Sequence, residues 1–406
     1  MGKGGFVIIE RGDTMEGGEL NFLDLDYSGW KLLSEEWGEN NSFFDSIYFL
    51  YGFDMSSNMY LIKGRDGLTL IDGGNDYTAF IQLRVIGYSH MDIRRVILTH
   101  GHREHVMGVI ELLRYPPHLR NSSFEVYMHE ASPEELKSIL KDFGIPVKFI
   151  RHGDKLDFFD GFELEVIHTP GHTFDSLCFF ERSTKTLFSG DTVLPFAYAS
   201  CDETAGGRED YHLLSLRMLA FLEPENLLPG HGPLVFKRAG DIIRANRLAG
   251  VKKIVGEYVP WSEIAVSLAR KGWLDEAILA CNVAIDEDRD NISLKGLKAS
   301  LLNDSGRFEE ALKIFEELLT IDSSPFLLLG KAVSLMGLGD LKKARDILEE
   351  LRKLYPGVRD IDVYYGILLV LEGDVDAATK IPGFKMELAK AFEKVLKESS
   401  EGKSKS

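Results

Sequence analysis

The alternation of apolar and polar positions divides the chain near residue 257. Upstream, short β-rich runs dominate. "SIYFLYGF", "NMYLIKG" and "LTLIDGG" read as successive strands, separated by turn signals at Gly64–Gly67 and Gly73-Gly74. "FEVYMHE", "FELEVIHT", "SLCFFER" and "KTLFSGD" carry the same signature. Between them, "DYTAFIQLRVIGY", "EHVMGVIELLR" and "SPEELKSILKDFG" show helical spacing, and the last opens with a Ser-Pro pair suited to a helix start. Strands outnumber helices and many are spaced as hairpins. The pattern predicts an α+β region, with sheets covered by helices and no simple βαβ alternation.

From Val259 the strand signals stop and a repeat of 33 or 34 residues begins. Gly272, Gly306, Gly339 and Gly373 each stand five residues before an alanine: Ala277, Ala311, Ala344 and Ala378. Twelve residues before each of those alanines lies another small residue, Ala265, Ala299, Ala332 or Gly366. Leu268, Leu302, Leu335 and Leu369 keep the same register. Each unit predicts a helix, a tight turn at the glycine and a second helix, with small residues where paired helices approach closely. This pattern resembles the tetratricopeptide repeat, with about four units over residues 258–392. Trp261 and Pro356 occupy the repeat's aromatic and proline positions, whereas Pro382 interrupts the second helix of the fourth unit. The resemblance implies an all-α domain of stacked units. It also implies a surface for a protein partner or for self-association. Residues 393–406, ending in "KESSEGKSKS", are polar and read as disordered.

Composition narrows the setting. The chain has 406 residues, of which 44% are hydrophobic and 27% charged, as expected of a globular protein with two or more domains. No apolar run approaches the roughly 18 residues of a membrane span. "MGKGGFVIIERGD" lacks a secretory h-region and cleavage site. Cys178, Cys201 and Cys281 are scattered and form no metal or disulfide pattern. A cytoplasmic protein without a membrane partner is the expectation. A single glutamine, Gln82, amid abundant Lys and Glu points to a heat-adapted source. The net charge of −17 disfavours a nucleic-acid partner, since such binding draws on Lys and Arg neutralising phosphates. The basic run Lys237, Arg238, Arg244, Arg247, Lys252 and Lys253 reads as the solvated face of a helix.

The candidate chemistry is concentrated in imidazoles and carboxylates. "LTHGHREHVMGV" holds His100, His102, Glu104 and His105; "TPGHTFDS" holds His172, "LFSGDTV" Asp191 and "LLPGHGP" His231. Such side chains are ligands for zinc, manganese or iron. A lone histidine is an ordinary residue, but three histidines and an acid within six residues at a strand end form a ligand cluster. His172, Asp191 and His231 each follow a strand and stand beside a glycine that admits close backbone approach.

Over residues 45–235 this set resembles the metallo-β-lactamase fold superfamily, whose signature is His-x-His-x-Asp-His followed by distal His, Asp and His. The resemblance implies a four-layer αββα sandwich within residues 1–257. It assigns one metal to His100, His102 and His172, a second to Glu104, His105 and His231, and a bridging role to Asp191. Zinc is the expected ion, with manganese or iron as alternatives. Asp72 in "LIDGG" matches the acid that supports the site in relatives; a simple turn aspartate is the other reading. Two departures stand out. Glu104 replaces the usual aspartate, which alters how the second metal is held or leaves a proton acceptor. Met107 stands where many members have glycine.

The activity implied is hydrolysis of an ester, thioester or lactone by a hydroxide that bridges two metals. The run "TPGHTFDSLCFF…LFSGDTV" is similar to glyoxalase II and lactonase sequences. A mononuclear iron enzyme like the persulfide dioxygenases and a phosphodiesterase or nuclease are the alternatives. The expected catalytic groups are Glu104, Asp191 and Tyr198, the last as a donor to an oxyanion of a small-molecule substrate. Phe196 and Tyr211 are candidate contacts, or packing under a long loop. His168 reads as a supporting or structural residue. His90, His118, His129, His152 and His212 read as ordinary, and Cys201 as a thiol with no base beside it.

Overall fold

The computed structural model describes residues 7–8, 25–38, 41–114, 124–381 and 383–385. His118, Pro382 and the tail 393–406 lie outside the described residues. The chain divides into two compact units, Met1–Gly256 and Glu257–Ser406.

In the first unit, Val7–Ile8 (β1) pairs with Ala197–Tyr198 (β13). A larger sheet runs in sequence order through Lys31–Leu32 (β2), Ile47–Leu50 (β3), Met59–Gly64 (β4), Gly67–Ile71 (β5), Ile93–Ile97 (β6), Glu125–Met128 (β7) and Val147–Phe149 (β8), with the short helix Leu33–Trp37 (α1) following β2. A second sheet holds Lys155–Leu156 (β9), Leu164–His168 (β10), Leu177–Glu181 (β11), Thr186–Gly190 (β12) and Asn226–Pro229 (β14), in the order β14-β12-β11-β10-β9. Hairpin spacing holds from β2 to β5, where neighbours are antiparallel. The sequence expectation needs one correction. From β5 to β8 neighbours run parallel, with Arg103–Arg114 (α3) and Glu134–Asp142 (α4) as the last two crossovers.

Strand alternation sorts the side chains into three apolar layers. Leu61, Leu70, Val96 and Val126 face Thr78–Gln82 (α2), α3 and α4, packing on Phe80, Val109, Leu112 and Leu136. Their neighbours Ile62, Ile71 and Ile97 face the second sheet and meet Val166, Phe179, Phe188 and Leu228. Ile167, Phe180, Leu187 and Leu227 point the other way, against Leu216 and Leu219 of Glu209–Phe221 (α5) and Ile242 and Ile243 of Ala239–Val255 (α6). The result is a four-layer αββα sandwich. The helical pattern over residues 76–88 is realised only as α2 and a 3-10 turn, Leu83–Ile86, closed by Gly87 at φ +83°.

The second unit is all-α among its described residues: Trp261–Arg270 (α7), Leu274–Glu287 (α8), Ile292–Asp304 (α9), Phe308–Leu319 (α10), Pro325–Gly337 (α11), Leu341–Leu354 (α12), Arg359–Leu371 (α13) and Val375–Ala378 (α14). Each helix packs on the next, giving four helix–turn–helix pairs. Ala265, Ala277, Ala299, Ala311, Ala332, Ala344 and Ala378 are all fully buried. Gly366 takes the place of alanine in the fourth unit because a Cβ there would sit 2.4 Å from the Phe384 ring. No described helix is long and apolar enough to cross a membrane.

The inter-helix glycines Gly272, Gly306, Gly339 and Gly373 adopt φ of +76°, +78°, +80° and +89°. A Cβ at Gly339 would meet nothing within 4 Å, so the requirement is conformational and not steric crowding. Gly339→Ala is therefore expected to destabilise the second unit by about 1–2 kcal/mol, read as a lower urea midpoint. An unchanged midpoint would show that the turn relaxes without cost.

Candidate metal centre

The site starts from one buried carboxylate. Asp72 follows β5 directly, is 2% exposed and holds φ +56°, a left-handed conformation that a non-glycine residue avoids. Its side chain accepts the Thr99 N–H and the Thr99 hydroxyl, both at 2.8 Å, and faces His105 Nδ1 at 2.8 Å. It thus joins the end of β5 to the loop after β6 and to the first turn of α3. Of the two sequence readings for Asp72, the supporting role is the one its contacts describe.

Four imidazoles then share one arrangement: one nitrogen faces a fixed acceptor and the other faces inward. His105 directs Nδ1 to Asp72, His172 directs Nδ1 to the Ser200 carbonyl at 2.7 Å, and His102 directs Nε2 to Asp202 Oδ2 at 3.1 Å. The Thr99 hydroxyl, whose proton goes to Asp72, is left to accept from His100 Nδ1 at 3.1 Å. Acceptors of this kind assign the tautomer, so in the neutral rings the inward nitrogens carry lone pairs. His172 Nε2 and His102 Nδ1 lie only 3.1 Å apart, an approach of two lone pairs that favours a cation between them.

The inward atoms fall into two sets. His100, His102 and His172 offer ligand atoms within 4.8 Å of one another, as do Glu104, His105, Asp191 and His231. Asp191, just past β12, lies between them. Its Oδ1 is 3.4 Å from His105 Nε2, and its Oδ2 is 3.5 Å from His231 Nε2 and 3.8 Å from His172 Nε2. Gly230, after β14, is what permits this: a Cβ there would stand 2.1 Å from Asp191 Oδ1 and 2.9 Å from the His105 ring. His100 Nε2, His105 Nε2 and Asp191 Oδ1 are buried without a hydrogen-bond partner. Leaving such atoms unpaired costs about 1–3 kcal/mol each, and a divalent cation satisfies all of them together. The donor set therefore fits metal ions.

Electrostatics agree with the geometry. Burial, reinforced by His105, pushes the His100 pKa well below the usual imidazole value, and burial likewise lowers His172 against the pull of Asp191. Burial also opposes charge on Asp191, yet His231 and His105 hold its carboxyl well below the usual range. His105 is the exception: burial disfavours its proton, but Asp72 and Asp191 on either side raise its pKa well above normal. A cation would compete with that Nε2 proton.

The structure corrects several sequence expectations. Tyr198 does not reach the set: it is 1% exposed, its hydroxyl donates to Glu209 at 2.5 Å, and its ring stacks on His212 at 4.8 Å. Its place in β13 points it into the apolar layer under α5 and α6, away from a substrate oxyanion. Tyr211 lies under the Arg208 guanidinium at 4.3 Å. His168, read as supporting or structural, stacks on His129 at 4.2 Å and directs Nε2 to the Phe174 carbonyl. Cys201, expected to lack a base, has His212 Nδ1 at 3.8 Å, and His212 is not ordinary. Sequence reasoning missed Thr99, Ser200 and Asp202. The "DET" run announces Asp202 as a cap, and its Oδ1 does accept Thr204 N–H at 2.9 Å. Nothing local announces that Oδ2 serves His102.

Asp202→Asn removes the carboxylate that fixes His102. Metal affinity, measured by competition with a chromophoric chelator, should fall about 10–100-fold with the circular dichroism spectrum unchanged. An unaltered affinity would mean that His102 needs no such partner.

Residues 52–231 match the metallo-beta-lactamase superfamily, and residues 292–325 and 327–357 match tetratricopeptide repeats. The thioesterase pkgB of Emericella nidulans is 30% identical over 49% of this chain and 53% of its own length. An atrochrysone carboxyl ACP thioesterase of Aspergillus fumigatus is 29% identical over 44% of this chain and 38% of its own. The chain thus spans about half the length of the curated relatives it matches. A metallo-beta-lactamase family protein of Thermus thermophilus aligns at 20% identity and a TM-score of 0.41, covering 60% of this chain and 94% of that one.

Proposed function

We propose, from the match of residues 52–231 to the metallo-beta-lactamase superfamily, that the chain is a dinuclear metal-dependent hydrolase of thioesters, esters or lactones. The observation that carries this reading is the convergence of His100, His102, Glu104, His105, His172, Asp191 and His231, with buried ligand atoms that have no other partner. His100, His102 and His172 would hold one cation, Glu104, His105 and His231 the other, and Asp191 would serve both. Zinc suits this nitrogen- and oxygen-rich set, with manganese or iron as alternatives. Such ions, when bound, supply a water-derived nucleophile at neutral pH and polarise the substrate carbonyl.

The protein's own contribution is orientation and proton handling. Asp72, Asp202 and the Ser200 carbonyl keep three imidazoles turned inward, so little reorganisation accompanies the reaction. Glu104 opens α3 with its carboxylate 30% exposed and 3.8 Å from His102 Nδ1. The oxygen of this carboxylate that the second cation leaves free would take a proton from the attacking water and return it to the leaving oxygen or sulfur. The extra methylene of Glu104 still leaves the second donor set within 4.8 Å, which favours two ions over a single iron. Relatives named as thioesterases support a thioester as the first substrate class to test. The tetratricopeptide repeats are the proposed surface for a protein partner or a second copy.

Elemental analysis of protein purified without chelating resin is expected to give at least two zinc or manganese ions per chain, consistent with a two-metal site. A chelator should abolish thioester hydrolysis and either metal should restore it. His172→Ala should lower activity by more than about 100-fold, beyond the effect of losing an outer-shell partner. One iron per chain, with oxygen uptake on a persulfide substrate, would replace this reading with the mononuclear one.

A further inference from the structure

Ser200, Cys201 and Asp202 form a strap behind two of the imidazoles. The Ser200 carbonyl holds His172 and the Asp202 carboxylate holds His102. Cys201, between them, turns its thiol to a different set of neighbours. His212 Nδ1 is 3.8 Å from its Sγ, and a Glu209 carboxylate oxygen completes a group whose three ligand atoms lie within 4.8 Å of one another.

Each member has a reason to be a ligand. His212 is fully buried, and its Nε2 faces the Thr192 carbonyl at 2.8 Å. A carbonyl only accepts, so Nε2 carries the proton and the Nδ1 lone pair faces the thiol. Glu209, the first residue of α5, keeps one oxygen on the Tyr198 hydroxyl at 2.5 Å, the orienting bond that ligating carboxylates commonly have. Sulfur at about 2.3 Å and nitrogen at about 2.0–2.1 Å from a tetrahedral zinc stand roughly 3.5 Å apart, close to the 3.8 Å between Cys201 and His212. Glu203, Glu209 and Asp210 make the surroundings electronegative. Cys201 and Glu209 are partly exposed, which leaves an entry path and room for water as a fourth ligand.

We propose that Cys201, Glu209 and His212 form a separate metal site, suited to zinc or a similar divalent cation, that braces the strap behind the principal centre. Binding breaks the Cys201 S–H bond heterolytically. The sulfur keeps the electron pair for the cation and the proton leaves to solvent. Uptake therefore releases one proton. The site bears on the principal centre through its neighbours: His212 holds Thr192 beside Asp191, and the strap holds His172 and His102.

Cobalt(II) tests this without reference to activity. The principal centre has no sulfur donor, so a thiolate-to-cobalt charge-transfer band reports only a cysteine site. Titrating metal-free full-length protein with cobalt should raise that band to a plateau whose height corresponds to one thiolate-bound cobalt per chain, and zinc should bleach it. Cys201→Ser should remove the band and bind one cobalt fewer than the wild type, while Cys178→Ser should keep it. Because the readout is a difference of one equivalent, it stands whether the principal centre takes one ion or two. No band in the wild type, or a band that survives Cys201→Ser, would overturn the proposal. If Cys201→Ser fails to fold, Glu209→Gln provides the second variant, with half-saturation expected to need about tenfold more cobalt.

Discussion

The first unit is organised around the Asp72 carboxylate. A residue in the left-handed region costs about 1–2 kcal/mol, and Asp72 accepts that cost for contacts to Thr99 and His105. Those contacts align the β5 and β6 ends and fix the first turn of α3. His100 then takes its tautomer from Thr99, and His105 from Asp72 itself. Without this anchor the ligand loop would have three histidines but no reason to present their lone pairs in one direction.

The two sheets supply the rest. Asp72 and the His100–His105 loop leave the larger sheet at the ends of β5 and β6, whereas His172, Asp191 and His231 leave the smaller one after β10, β12 and β14. The shared apolar layer, with Ile71 and Ile97 against Phe179, Phe188 and Leu228, sets how far apart those ends lie. Packing at crystal-like density makes that spacing stiff. The centre is therefore a property of the sheet–sheet interface, and Gly230 shows how little room it leaves.

What the sequence misjudged has a common origin. Tyr198, Cys201 and His212 lie within fifteen residues of one another in a segment with no regular period, so pattern reading treated them separately. Folding stacks Tyr198 on the face of the His212 ring and turns Cys201 towards its Nδ1. Asp202 was hidden in the same way, since a hundred residues separate it from His102. Contacts of that range have no local signature.

The sequence by itself determined the periodic features and the local motifs. The β-alternation, the His100–His105 cluster and the 33- or 34-residue repeat with its glycines follow from near neighbours, because strand pleat, helix pitch and left-handed turns are local constraints. Only the tertiary structure decided which lone pairs face inward, which carboxylate serves which imidazole, that β5 to β8 run parallel, and that Cys201 meets His212. Those outcomes depend on how two sheets and their helices pack, and the physical reason is that a side chain's hydrogen-bond partner is chosen by position in space and not by position in the chain.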